Sequence, residues 1–166
     1  NVLLSRERVS VSMARESEAD EEAPKEVGQA VDLLPQSGCR VLLVEDNASN
    51  RDLVVELLRT TPFDVEAVDN GEMALKMLKE AHWDLLLLDI ELPGIDGLEV
   101  FRRIRANEKT QELPVIAMTA FAMSGDKEKF MGMGFNDYLS KPLDIESMAH
   151  CLTRVIQGRF TGPQVD

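Results

Sequence analysis

The sequence has few of the residues that build disulfide scaffolds or bind soft metals. Its 166 residues include two cysteines and two histidines, and Cys39 and Cys151 lie far apart in the chain. Structural zinc usually needs four cysteine or histidine ligands at short, paired spacings. These counts argue against a disulfide framework and a zinc site. His82 and His150 are expected at the surface or at helix ends, with no phosphotransfer role.

Positive charge and long apolar runs are also scarce. There are 18 lysines and arginines against 30 acids, for a net charge of -12, which is the wrong sign for binding nucleic acid or an anionic membrane. No apolar run approaches the roughly 18 residues that span a bilayer, and the first residues lack the pattern of a secretion signal. We expect a cytoplasmic protein that contacts neither nucleic acid nor a membrane through this segment.

The first 38 residues differ in composition from the rest. The stretch 16–26, ESEADEEAPKE, holds six acids and one lysine, so it buries too little apolar area to offset the entropy of ordering. We expect 1–38 to be an acidic, flexible linker or the end of a preceding domain, with a docking arm as the alternative. Residues 39–158 are expected to form one folded domain, and 159–166 a C-terminal tail.

Short apolar runs then alternate with helical patterns. Four consecutive leucines, Leu85 to Leu88, are typical of a strand that is buried on both faces. Five strands, each followed by a helix, predict an α/β fold: a three-layer (βα)5 sandwich with a parallel sheet. A flavodoxin-like strand order of 2-1-3-4-5 is expected, with the ligand site between strands one and three. The predicted strands are 41–44, 64–68, 85–89, 114–119 and 137–140.

Two of the predicted helices stand out. Residues 145–156 carry the clearest amphipathic pattern, and Gly158 is expected to end that helix. The pattern at 124–133 is poorly amphipathic and glycine-rich, and an interior glycine costs about 1 kcal/mol relative to alanine. We therefore expect 124–133 to form the most mobile helix.

Polar side chains follow the ends of four predicted strands. Because the carboxyl ends of parallel strands meet at one edge of the sheet, these side chains should lie close together. Three carboxylates at one place repel each other unless they share a cation, and Mg²⁺ prefers oxygen ligands. The sequence therefore predicts a magnesium site at this edge. The residues are Glu45 and Asp46 after strand one, Asp89 after strand three, Thr119 after strand four and Lys141 after strand five.

Asp89 is the expected reactive residue. A carboxylate beside Mg²⁺, the Lys141 ammonium and the Thr119 hydroxyl is arranged to accept a phosphoryl group, because the charge on the phosphoryl oxygens is neutralised. In-line attack of Asp89 on phosphorus would give an acyl phosphate, and water would later hydrolyse it.

Four motifs follow one another along the chain: VEDN at 44–47, LDIELP at 88–93 followed by Asp96-Gly97, MTA at 118–120 and YLSKP at 138–142. Together they resemble the response-regulator receiver domain of two-component signalling. The resemblance extends from about Arg40 to Gly158. Finer patterns, EDNASNR at 45–51 and GFNDY at 134–138, are most similar to receivers attached to hybrid histidine kinases, and the acidic stretch before the domain agrees with that.

The resemblance implies a phosphoacceptor, a metal and partners. Asp89 would take a phosphoryl group from a phosphohistidine, on a histidine kinase dimerisation and phosphotransfer domain or on a histidine phosphotransfer protein. Asp46 and Asp89 would bind Mg²⁺ directly, Glu45 mainly through water, and the backbone carbonyl of Glu91 would be a further ligand. The domain would be a signalling module rather than an enzyme, apart from its own phosphorylation and dephosphorylation, and it could form a weak homodimer.

The resemblance also implies a conformational switch. Thr119 and Tyr138 match the switch pair, in which the hydroxyl moves toward the phosphoryl group and the ring rotates inward, and Lys141 would bind the phosphoryl group. The Lys141–Pro142 peptide bond is expected to be cis. Glu91 and Phe121 depart from the commonest pattern at positions that tune the lifetime of the acyl phosphate.

Two alternatives remain. Asp89-x-Glu91 superficially resembles the nucleophile motif of haloacid-dehalogenase phosphohydrolases. That motif normally lies on the first strand and continues to Gly-Thr, whereas here it follows the third strand. The second alternative is an interaction module that no longer turns over phosphate, and the intact acid pair, Asp89 and Lys141 argue against it.

Overall fold

A computed structural model of the chain describes residues 38–120, 123 and 125–160, with the backbone alone at 159 and 160. Nearly all of the predicted linker, Phe121, Ser124 and the last six residues of the predicted tail lie outside the described residues. The expectations for them therefore stay predictions.

Five strands and five helices alternate along the described chain, and the strands pair in parallel in the order β2-β1-β3-β4-β5. The predicted flavodoxin-like (βα)5 fold is confirmed, and the predicted strand limits lie within two residues of the observed ones. The elements are β1 (Cys39–Val44), α1 (Ala48–Leu58), β2 (Phe63–Val68), α2 (Gly71–Glu80), β3 (Leu85–Asp89), α3 (Gly97–Ala106), β4 (Val115–Thr119), α4 (Asp126–Met133), β5 (Asp137–Ser140) and α5 (Ile145–Phe160).

The sheet is covered on both faces, because every residue of β3 and β4 is buried. Successive strand residues point to opposite faces, so Leu87 packs with α1 and α5 on one face while Leu86 packs with α2 and α3 on the other. Only about half of β2 is shielded, as its edge position requires. The three layers hold the carboxyl ends of β1, β3 and β4 in a fixed arrangement.

The helices that follow β1, β2 and β3 have side-chain caps at the carboxyl edge of the sheet. Asn47, Asn70 and Asp96 each accept a hydrogen bond from the backbone N–H three residues on, which satisfies a free N–H at the start of the helix. The start of α4 has no such side-chain cap. The loops that carry the acidic residues thus lead into helices whose first turn is capped by a side chain.

One helix end differs from the prediction. The prediction that Gly158 ends the last helix is wrong, because α5 continues to Phe160. A terminating glycine usually takes a positive φ, as Gly134 does at the end of α4 with φ of 106°, whereas Gly158 is not among the glycines with positive φ. His82 and His150 are exposed, as predicted. None of the described helices has the length and apolarity that crossing a membrane requires.

Candidate functional site

Three carboxylates lie together at the carboxyl edge of the sheet. One oxygen each from Glu45, Asp46 and Asp89 lies within 4.8 Å of the other two. The side chains of Glu45 and Asp89 are 1% exposed, while Asp46 faces solvent. A cluster of carboxylate oxygens with one open side has the donor chemistry that a hard divalent cation such as Mg²⁺ prefers.

Lys141 lies between the two buried carboxylates. Its Nζ is 2.7 Å from Glu45 Oε2 and 2.9 Å from Asp89 Oδ2. The Lys141–Pro142 bond is cis, as predicted, and the Lys141 backbone N–H donates to the Thr119 carbonyl at 2.8 Å. One ammonium thus serves two buried acids, and the cluster keeps a net negative charge.

The two carboxylates that share the Lys141 ammonium have pKa values shifted in opposite directions. Burial raises the pKa of Asp89 to about 7; the Glu91 and Glu45 side chains add to the rise, and the Lys141 hydrogen bond opposes it. Burial would also raise the pKa of Glu45, but hydrogen bonds from Lys141 and the Asn47 backbone outweigh burial and lower it. A cation beside Asp89 would favour its charged form and lower its pKa.

Two residues that shape the site, Gly97 and Arg51, were not predicted from the sequence to do so. An added Cβ at Gly97 would lie 2.3 Å from the Asp89 carbonyl oxygen, so only glycine lets α3 start against the end of β3. Arg51 Nη1 donates to the carbonyls of Glu45 and Asp46, each at 2.8 Å, and so holds the acidic loop. Both residues belong to motifs quoted above, which was the available signal, but composition and spacing did not indicate these contacts.

Thr119 is buried at the end of β4, and its hydroxyl donates a hydrogen bond to Glu91 Oε1. The Glu91 backbone N–H donates to Asp89 Oδ1 at 2.9 Å, so the backbone of Glu91 lies against the Asp89 carboxylate. The role of the Glu91 carbonyl as a metal ligand stays a prediction.

Tyr138, the other predicted switch residue, is half-buried on β5. Its ring stacks on Phe130 of α4 with centroids 5.6 Å apart. Phe130 contacts Phe135, which stacks on Phe101 of α3 at 3.8 Å. Burial raises the pKa of the Tyr138 hydroxyl, with the Asp126 and Glu91 charges adding to it. A row of aromatic rings therefore connects β5 with two helices.

A cavity of about 610 Å³ lies at the opposite, amino edge of the sheet, with Trp83, Asn136 and Arg154 in its wall. None of the predicted site residues lines it. The carboxyl edge, where the titratable groups converge, is the better candidate site.

Comparison with curated proteins gives relatives in bacterial signalling. The signal transduction histidine-protein kinase BarA of Escherichia coli is 38% identical over 131 residues, which are 76% of this chain and 14% of BarA. The polar-differentiation response regulator DivK of Brucella ovis is 40% identical over 105 residues, which are 63% of this chain and 85% of DivK. The chain therefore spans a small part of one relative and most of the other.

A solved structure is similar as well. The receiver domain of sensor histidine kinase PA1611 from Pseudomonas aeruginosa PAO1, with a magnesium ion coordinated in its active site cleft, is 37% identical with a TM-score of 0.67. The match covers 74% of this chain and all of that one. The family model described as the response regulator receiver domain matches residues 41–153. This chain belongs to the response regulator receiver domains of two-component signalling.

Proposed function

We propose that this receiver domain accepts a phosphoryl group from a phosphohistidine onto Asp89 in a Mg²⁺-dependent reaction, and that it then changes conformation for signal transduction or phosphorelay. One observation carries the proposal: the buried Asp89 carboxylate lies 2.9 Å from the Lys141 ammonium, within a cluster of three acids. Two buried acids that share one cation are arranged to bind further positive charge and a phosphoryl group.

The carboxylates of Asp46 and Asp89 and the Glu91 carbonyl would hold the ion, with Glu45 acting mainly through water. When bound, Mg²⁺ would supply the positive charge that favours ionised Asp89 and neutralises phosphoryl oxygens. The magnesium in the PA1611 receiver supports this assignment by similarity.

In the transfer itself, an Asp89 oxygen attacks phosphorus while the bond from phosphorus to the donor imidazole nitrogen breaks. The electron pair of that bond stays on the imidazole, and the product is an acyl phosphate. Lys141 would exchange its bond to Asp89 Oδ2 for one to a phosphoryl oxygen. Thr119 would donate to another, and Tyr138 would turn inward as the switch partner.

The phosphodonor would be a histidine kinase dimerisation and phosphotransfer domain or a histidine phosphotransfer protein. The similarity to BarA and to PA1611, both named as histidine kinases, supports a receiver within a hybrid kinase. In that setting 1–38 would be an acidic linker or the end of a preceding domain, 39–158 the receiver domain and 159–166 a tail. The domain would act in the cytoplasm, turn over phosphate only on itself, and associate with a second copy weakly at most.

Acetyl phosphate with Mg²⁺ tests the proposal. Intact-mass spectrometry should show one phosphoryl group per wild-type chain. No phosphoryl group should be found when EDTA is present, or in the Asp89→Asn and Asp46→Ala variants. Asp52→Asn, which neutralises an exposed acid on α1, is the matched control and should be labelled like the wild type. Circular dichroism should show that all three variants are folded.

Two results would overturn the proposal. Labelling that persists in Asp89→Asn would place the phosphate on another residue. Repeated turnover of a simple aryl phosphate would instead favour the phosphohydrolase reading, although Asp89 lies on the third strand rather than the first.

A further inference from the structure

The side chain of Glu91 makes a contact that the proposed chemistry does not use. Its Oε1 accepts the hydrogen bond from the Thr119 hydroxyl. Its Oε2 is buried, with no hydrogen-bond partner among the described residues. The nearby ammonium of Lys141 is engaged with Glu45 and Asp89 instead. The Thr119 hydroxyl therefore donates a hydrogen bond to a carboxylate whose other oxygen accepts none from the described residues.

This contact competes with the expected role of Thr119. A threonine hydroxyl has one proton to donate, so while it donates to Glu91 it cannot donate to a phosphoryl oxygen on Asp89. A hydrogen bond to a charged acceptor favours the state in which it forms by at least about tenfold. The resting domain thus holds Thr119 in an arrangement that phosphorylation has to undo.

The position of Glu91 also supplies a means of release. Asp89 and Glu91 are two residues apart, and the Glu91 side chain already acts to raise the pKa of Asp89. A phosphoryl group on Asp89 would place roughly two negative charges close to the negative charge of the Glu91 carboxylate. Repulsion would therefore drive the Glu91 carboxylate away and free the Thr119 proton.

We propose that Glu91 is a positioning residue that latches Thr119 in the unphosphorylated domain and opposes the switched conformation until phosphate arrives. The proposal rests on Asp89 being the phosphorylated residue. It assigns to Glu91 a role in the resting equilibrium, distinct from any effect on the lifetime of the acyl phosphate.

Beryllofluoride binding with Mg²⁺, followed by NMR, tests the latch through a double-mutant cycle. Glu91→Ala should lower the apparent Kd about tenfold, and Glu91→Gln, which keeps a neutral acceptor, about threefold. In a Thr119→Val background the same Glu91→Ala change should alter the Kd less than threefold, because only charge repulsion is then relieved. The coupling between the two positions isolates the latch from the repulsion.

The free protein provides a second readout that a merely structural role would not move. In Glu91→Ala without ligand, the Thr119 methyl and Tyr138 ring resonances should shift toward their beryllofluoride-bound positions. Glu72→Ala removes an exposed acid beside Gly94, in the loop after β3, and should change neither the spectra nor the Kd.

The outcomes separate the two proposals. Binding in every variant, with the same Glu91→Ala effect in both backgrounds and no shift in the free protein, would overturn the latch alone. Failure of every variant, including the wild type, to bind beryllofluoride would overturn the phosphoacceptor role of Asp89 and the latch with it.

Discussion

The two edges of the sheet both bury carboxylates, but they pair them differently. At the carboxyl edge, Glu45 and Asp89 share the single ammonium of Lys141. At the amino edge, Asp137 has its own cation: Arg154 Nε donates to Oδ2 at 2.8 Å, and the Tyr138 backbone N–H donates to Oδ1 at 2.8 Å. Among the described residues, the carboxyl edge thus has two fully buried acids that share one ammonium. The amino edge has one buried acid that pairs with its own guanidinium.

The difference separates the groups proposed to react from those that stabilise the fold. The pKa of Asp89 rises to about 7 because its burial is incompletely compensated, whereas the pKa of Arg154 is raised by its bond to Asp137. Other polar groups at the amino edge are also matched: Asn136 Oδ1 accepts from the Val115 backbone and from Arg105. Under-paired buried charge reduces stability and is typical of functional sites, so this contrast supports the proposed reactive role of the carboxyl edge.

The largest effect should come from Gly97 at the carboxyl edge, with Gly132 near the amino edge as its comparison. Gly97→Ala should lower the free energy of unfolding by about 3 kcal/mol, because the new Cβ would overlap the Asp89 backbone, at 2.3 Å. Gly132 lies near the amino edge, in α4, with nothing within 4 Å of its Cβ position. Gly132→Ala should therefore raise stability by about 0.5–1 kcal/mol. Urea unfolding measures both, and a Gly97→Ala protein as stable as the wild type would contradict the expected packing.

The next effect distinguishes the ion pairs. Arg154→Met should lower the free energy of unfolding by about 2 kcal/mol, because it leaves the buried Asp137 charge without its cation. The Arg154 side chain is 63% exposed, which keeps the loss below that of a fully buried pair. Labelling by acetyl phosphate should stay within twofold of the wild type.

Arg102→Met is the control for this ion pair. Arg102 is 75% exposed and pairs with Glu99 on the surface of α3, so its loss should change stability by less than about 0.5 kcal/mol. Equal effects of the two substitutions would remove the claimed contrast between a structural pair and a surface pair.

Much of the arrangement was predictable from local patterns. The unbroken leucines of β3 indicated a central strand, and polar residues after strands one, three, four and five indicated a shared edge. Parallel topology brings such strand ends together regardless of side-chain detail. This is why the sequence alone groups Glu45, Asp46, Asp89 and Lys141.

The remaining features depend on side-chain choices that have no sequence period. Whether the Thr119 hydroxyl donates to Glu91 or toward Asp89 is decided by the rotamers of Thr119 at the end of β4 and of Glu91 in the loop after β3. The pairing of Asp137 with Arg154 joins a strand to a helix across 17 residues. Gly158 was misread because a glycine ends a helix only when its backbone turns left-handed.

The smallest effect concerns the protonation of Asp89. Its ordinary pKa is 3.8, and in the folded domain it rises to about 7. Between these values the folded state binds more protons than the unfolded state, so stability should fall as pH rises through that window and level off above it. Asp89→Asn removes the titrating group but also the ion pair with Lys141. These changes oppose each other, so without Mg²⁺ the variant should be only about 1 kcal/mol more stable than the wild type at pH 8.

Urea unfolding in EDTA at pH 5 and pH 8 measures this effect as the difference between wild type and Asp89→Asn. The stabilisation by Asp89→Asn should be larger at pH 8 than at pH 5, because the wild-type carboxyl is mostly protonated at the lower pH. Mg²⁺ at pH 8 should stabilise the wild type and leave Asp89→Asn nearly unchanged, since binding to the folded state alone adds stability. A difference that does not depend on pH would mean that Asp89 is ionised throughout, and the two edges would then hold their carboxylates in the same charge state.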